Sequence, residues 1–162
     1  MRNDLARLTE LRRLTILESP REPAYDRITR LLATSLHVPI TIVNMLDENR
    51  DWFKSAVGLS QSESPVATSF CEALFKESDD LIVVEDTQKD LRFSANALVT
   101  GAPFIRFYAS ARLVVSGQLV GTLCAYGMQP KKLTASQIGD LRTLAQLVTE
   151  LLEQRAPAWR LN

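Results

Sequence analysis

The chain has 162 residues, enough for one domain with its own core, and its 46% apolar and 23% charged content is ordinary for a globular fold. Nineteen basic residues balance nineteen acidic ones, so no basic excess marks a nucleic-acid partner. No apolar run approaches the ~18 residues of a membrane span, and the charged opening "MRNDLARLTELRR" is unlike a secretory signal; the expectation is a cytoplasmic protein whose two cysteines are free thiols.

Leu5, Leu8, Leu11 and Leu14 recur every three residues and predict a first helix with an apolar arc over about half its circumference, too wide for one surface to cover. Pro20 and Pro23 break the chain, and a second helix follows with Tyr25, Ile28, Leu32 and Leu36 on one face. "VPITIVNML" (38–46) is β-branched and apolar on both faces, the pattern of a central strand. "DENR" turns the chain into a returning strand, "DWFKSAV" (51–57), and residues 58–65 form a loop. "TSFCEALF" (68–75) reads as a short helix with Ser69 and Glu72 as a capping box, and "LIVVED" (81–86) as a further strand. Residues 87–106 are long and irregular, with one helical turn near 96–99; such a loop inside a compact domain points to a lid. "FYASARLVV" (107–115) and "QLVGTLCAY" (118–126) form a hairpin around Ser116-Gly117. Thr134 and Gln137 form a capping box flanked by the staple pair Leu133 and Ile138. The last helix runs to about Arg155 with two apolar rows, and 156–162 is a frayed tail.

This order, with the blocks "ILESPREPAYDRITRLLATSLHVPITIVNMLDENRDWFKSAVGL", "SFCEALF", "LRFSANALVTGAPFIRFYASARL" and "GTLCAYGMQPKKLTASQ", resembles the GAF modules of bacterial sensor kinases and diguanylate cyclases. The resemblance covers about residues 8–153 and identifies 1–162 as a single GAF domain. It implies an α+β, PAS-related fold: a central antiparallel sheet, terminal helices on one face, and short helices plus a long loop over a pocket on the other. Members commonly carry Gly and Pro where this chain has Ser110 and Arg112, and often an Asp near Gly127-Met128. Members bind cyclic nucleotides, haem, bilins or nothing identified, so the resemblance implies sensing without naming a ligand or cofactor.

A two-residue turn at Ser116-Gly117 pairs Val115 with Gln118, and continuing that register sets Ala109 against Cys124 and Leu113 against Val120. That face, smooth and small, is expected under the helices, with Cys124 an inert core residue. The other face, with Tyr108, Ser110, Arg112 and Leu123, is expected to line the pocket, joined by Arg106, Phe70, Cys71, Leu74 and Phe104 from the covering segments. On this register the two cysteines lie on opposite sides of the sheet. Cys71 sits in the first turn of its helix, either as a buried contact or as a sensing thiol. Arg112 requires a partner, which is either Asp86 or Asp90, or a carboxylate or phosphate ligand shared with Arg106 and Tyr108. His37, the only histidine, ends a helix and reads as a surface or capping group rather than a haem ligand.

Three functions follow. The first is a non-enzymatic sensory module that binds a small molecule, an anion favoured, or a partner, and transmits through its terminal helices to an output domain in a longer chain. The second is a thiol-based redox enzyme or sensor resembling the GAF-fold free-methionine sulfoxide reductases. The third is a dimerisation domain without a ligand. The wide apolar arcs of 5–14 and 138–152 predict a homodimer in the first and third cases.

Overall fold

The computed structural model describes residues 1–155; the tail expected at 156–162 lies outside them. Six antiparallel strands form one sheet in the order β3-β2-β1-β6-β5-β4. They are β1 (Ile40–Leu46), β2 (Arg50–Val57), β3 (Glu63–Pro65), β4 (Leu81–Val84), β5 (Phe107–Val115) and β6 (Gln118–Gly127). Helices α1 (Leu5–Arg13), α2 (Pro23–Leu36) and α4 (Ala135–Glu153) cover one face. The 3-10 segments Val66–Thr68 and Phe70–Lys76, with the short α3 (Ala97–Thr100), cover the other. Among the described residues no helix is long and apolar enough to cross a membrane.

Several local signals act as expected. Thr134 and Gln137 exchange capping bonds at the start of α4, with Leu133 and Ile138 packed in the core beside them. Asn96 caps α3 through the Leu98 N–H. His37 is the left-handed cap that ends α2, at φ 54°. Other expectations fail for tertiary reasons. The segment at 70–76 is a 3-10 helix without a side-chain cap, because the Ser69 hydroxyl goes to Asp51 and the Glu72 carboxylate to Arg2. Residues 63–65, expected within a loop, add an edge strand to β2. The apolar surplus of the terminal helices is largely used inside the chain. Leu8, Leu11, Leu14, Leu141, Leu144, Val148 and Leu152 are all buried in the helix-face core, with α4 lying on both α2 and β5.

Two β-bulges decide which side chains share a face. Val43 pairs with Ser55 but Asn44 with Phe53, so Lys54 is an extra residue in β2. Lys54 and Ser55 therefore both turn to the helices. The Lys54 ammonium is closed from water and meets the Glu22 carboxylate (2.6 Å) and Ser19 Oγ (2.8 Å), while Ser55 bonds Asp26 and Thr29. Asp51 and Phe53 are left on the lid side. In the hairpin the turn pairs Val115 with Gln118 as expected, but Leu113 pairs with Gly121 and Val114 with Leu119, so Val120 is extra. The one-residue slip exchanges the faces of the rest of β6. Cys124 pairs with Ser110 and faces the lid; Leu123 pairs with Ala111 and packs under the helices.

Gly58 ends β2 at φ +81°, where a Cβ would stand 2.1 Å from the Pro39 carbonyl oxygen; Gly117, at φ +77° in the hairpin turn, has open space around it. Gly117→Ala should cost about 1 kcal/mol, the left-handed penalty alone. Gly58→Ala should cost a further 1–3 kcal/mol or so, because β1 and β2 must part to admit the methyl group. Chemical denaturation of the two variants tests the order, and equal costs would contradict it.

Candidate functional site

The lid-side face carries Ile40, Ile42 and Asn44 of β1, Asp51 and Phe53 of β2, Tyr108 and Ser110 of β5, and Thr122, Cys124 and Tyr126 of β6. Aromatic rings hold the lid on it. Phe70 stacks on Phe93 (5.0 Å between centroids) and packs on Tyr108 (5.0 Å) and edge-on against Tyr126 (5.5 Å). Such pairs add about 0.5–1.5 kcal/mol each beyond the burial of their area.

Arginines fasten the lid's backbone. Arg112 gives its guanidinium to the carbonyls of Leu74, Glu77 and Asp79, where the 3-10 helix ends with unpaired acceptors. Neither Asp86 nor Asp90 is its partner: Asp86 caps the 87–89 turn, and Asp90 pairs with Arg92. Arg106 donates to the carbonyls of Val99 (2.8 Å) and Ile105 and lies against the exposed Phe104 ring. Arg2, from the segment before α1, is buried between the sheet and the lid. It pairs with Asp51 (2.9 Å) and Glu72 and donates to the Asp47 carbonyl (2.8 Å).

Asp51 is the centre of this corner. Its side chain is 3% exposed. One oxygen faces Arg2; the other accepts from Ser69 Oγ (2.6 Å) and Asn44 Nδ2 (3.1 Å). Asn44 also donates to Cys71 Sγ at 3.4 Å. Cys71 Sγ in turn contacts Thr122 Oγ1 (3.1 Å) and the Tyr108 hydroxyl (3.4 Å). Cys124 lies within hydrogen-bonding reach of Cys71 and of the Ile42 carbonyl (3.7 Å). The two thiols therefore sit together on one side of the sheet, contrary to the unbulged register. Both are fully buried. The hydrogen bond from Cys124, joined by those from Thr122 and Tyr108, holds the Cys71 thiol below its ordinary range, while burial pushes Cys124 well up.

Beside this network a cavity of about 120 Å³ separates β1, β2 and β6 from the lid. Its polar wall is Asn44, Asp51, Gln61, Ser64, Thr68 and Ser69, and its apolar wall includes Ile42, Phe53, Phe70, Leu98, Ile105 and Tyr126. A wider groove of about 490 Å³ between Glu85–Lys89 and Pro130–Lys132 lies outside the lid, with mostly exposed charges of both signs.

Of the nine residues expected at the pocket, Phe70 alone lines this cavity. Tyr108 of the sheet and Cys71 and Leu74 of the lid are buried between the two, and Ser110 has no hydrogen-bond partner for its Oγ among the described residues. Arg112 and Arg106 hold backbone, Phe104 is exposed on the outer surface, and Leu123 lies on the far face. The lining residues missed include Asn44, Asp51, Leu98 and Tyr126. Asn44 did leave a signal, as the one strong hydrogen-bonding amide in a strand otherwise apolar on both faces.

The GAF domain model matches residues 20–152. The chain belongs to the GAF family. The cyclic di-GMP phosphodiesterase PA2567 of Pseudomonas aeruginosa is 32% identical over 137 residues, which are 83% of this chain and 23% of that protein. The chain thus spans about a quarter of this curated relative. Among solved structures, the GAF domain of an Acinetobacter phosphoenolpyruvate-protein phosphotransferase superposes with a TM-score of 0.62 at 16% identity, covering 93% of this chain and 95% of that one. The free methionine-R-sulfoxide reductase of Neisseria meningitidis superposes with a TM-score of 0.63 at 14% identity, covering 93% and 87%. At these identities the structural matches show the GAF fold alone.

Both thiols of this GAF domain should resist a thiol reagent in the native state and react together on unfolding. Cys71→Ala should cost about 1–3 kcal/mol, since Asn44 and Thr122 lose a buried partner. Rapid labelling of one thiol in the folded protein would contradict the closed lid.

Proposed function

We propose that the chain is a sensory GAF module that binds a small molecule in the cavity beneath its lid and passes the occupancy of that site to its terminal helices. The observation that carries this reading is the cavity itself, walled by sheet and lid and bordered by Asp51. Asp51 is also the anchor of Arg2, so a change at the cavity wall is felt by the segment leading into α1. Arg7 of α1 extends that link, donating to the Arg2 carbonyl (3.0 Å) and to the Leu119 carbonyl of β6 (3.1 Å). The likeness to part of a cyclic di-GMP phosphodiesterase supports an output of that signalling kind, carried by a longer chain. A second copy across the terminal helices would cover Leu5, Leu31 and Leu147, large apolar side chains that α1, α2 and α4 leave exposed. The thiol-enzyme reading has less support, because neither sulfur lines the cavity.

Leu98 of α3 offers the test, since it lines the cavity from the lid side. In a ligand-observed NMR screen of ring-sized fragments, wild type should yield binders that Leu98→Trp, filling the space, no longer binds. A ligand at a hundredfold excess over its Kd should stabilise the fold by about 2.7 kcal/mol. Binders that persist in a folded Leu98→Trp variant, or a screen with none, would contradict a sensing site here.

A further inference from the structure

The proposal that this cavity senses a small molecule leaves the chemistry of that molecule open, and the cavity wall restricts it. Asn44 has its Nδ2 committed to Asp51 and Cys71. That assigns the amide's orientation, because the flipped form would set its carbonyl against the Asp51 carboxylate. Its Oδ1 is then a buried acceptor with no partner among the described residues, on a residue that lines the cavity and is 1% exposed. A buried acceptor left unpaired is costly, and a ligand able to donate would remove that cost.

Charge points the same way. Among the described residues Asp51 is the one charged side chain in the cavity wall, and no Lys, Arg or His lines it. Asp51 Oδ2 accepts from Ser69 and Asn44, and Oδ1 faces Arg2 as an ion pair at 2.9 Å without a hydrogen bond of its own among the described residues. An incoming carboxylate or phosphate would approach a buried negative charge and an unpaired carbonyl oxygen with no cation to receive it. Arg112 and Arg106, whose charge would suit an anion, are turned into lid backbone. The remaining wall is apolar and aromatic, with Phe70 and Tyr126 edge to face at 5.5 Å. At about 120 Å³ the space fits one ring and a head group, not a tetrapyrrole or a dinucleotide.

We propose that the cavity takes a small one-ring ligand bearing an N–H donor, a neutral amide or a cationic amidine, which donates to Asn44 Oδ1, and that it excludes carboxylates and phosphates. Selectivity resides in Asn44 Oδ1 and the negative charge of Asp51, and shape in Phe70, Tyr126 and Leu98.

Benzamide, benzamidine and benzoate share a ring and differ in head group, so they are the probes. Binding to wild type is measured by titration NMR and by thermal shift at equal concentrations. Benzamide and benzamidine should bind at least about tenfold more tightly than benzoate, a difference of about 1.4 kcal/mol. All binding should be lost in Leu98→Trp. Asn44→Ala, where it folds, should lose the head-group preference; the comparison among probes on wild type stands without it. Benzoate binding as tightly as benzamide, and blocked in Leu98→Trp, would overturn the donor-ligand inference while leaving the sensing site in place. Binding unaffected by Leu98→Trp would overturn both. No binding by any of the three would overturn the inference, and the broader fragment screen would then judge the sensing site separately.

Discussion

A carboxylate that reaches almost no water must be met by donors on each of its oxygens, or it will not remain charged and buried. Asp51 imposes that condition on this fold. Its partners come from three places far apart in the chain: Arg2 before the first helix, Asn44 on the neighbouring strand, and Ser69 at the entrance to the lid. Meeting the condition pins the lid to β2 and draws the N-terminal segment across the sheet edge. It also redirects Ser69 from the capping role its spacing to Glu72 suggests. The aromatic cluster of Phe70, Phe93, Tyr108 and Tyr126 then closes the lid by contact area, and the cavity is the space between the polar anchor and the aromatic one.

Asp51 faces the lid because of its strand's bulge. With Lys54 as an extra residue, Asp51 and Phe53 look toward the cavity while Lys54 and Ser55 both look toward α2. The bulge at Val120 does the same for β6, directing Val120 to the helices and Thr122, Cys124 and Tyr126 to the lid. Each bulge lets a strand serve two faces whose demands are out of phase with simple alternation. The buried Lys54 is tolerable because Glu22 and Ser19 answer its charge, and Glu22 in turn meets Arg155 after α4 (2.7 Å). That carboxylate has a pKa below its usual value, the Lys54 hydrogen bond being the main cause. Its contribution is therefore present above the ordinary glutamate range and is lost as pH falls through its lowered pKa.

The architecture was legible because its signals are local. The periodic leucines of α1 and α4, the capping box at Thr134, the turn at Ser116-Gly117 and the helical turn after Asn96 each depend on residues a few positions apart. The site was much less legible. A bulge has no strong sequence mark, and a single extra residue reverses every later side chain, which is why Leu123 was placed at the pocket and Cys124 under the helices. An arginine in an apolar strand, such as Arg112, calls for an anionic partner, yet carbonyl oxygens at the end of a 3-10 helix satisfy it as well. Asp51 opens a strand where a surface charge would be unremarkable, and only its pairing with Arg2, 49 positions earlier in the chain, reveals it as buried.

The central claim is that the Asp51 network, and not apolar contact alone, holds the lid against the sheet. Native-state hydrogen exchange on Asp51→Ala tests it most directly. If the network is the anchor, amides of residues 66–76 should exchange roughly tenfold faster or more, while those of α4 and β5 keep most of their protection. Lid amides that exchange as in wild type, or a uniform loss of protection across the whole sheet, would contradict it.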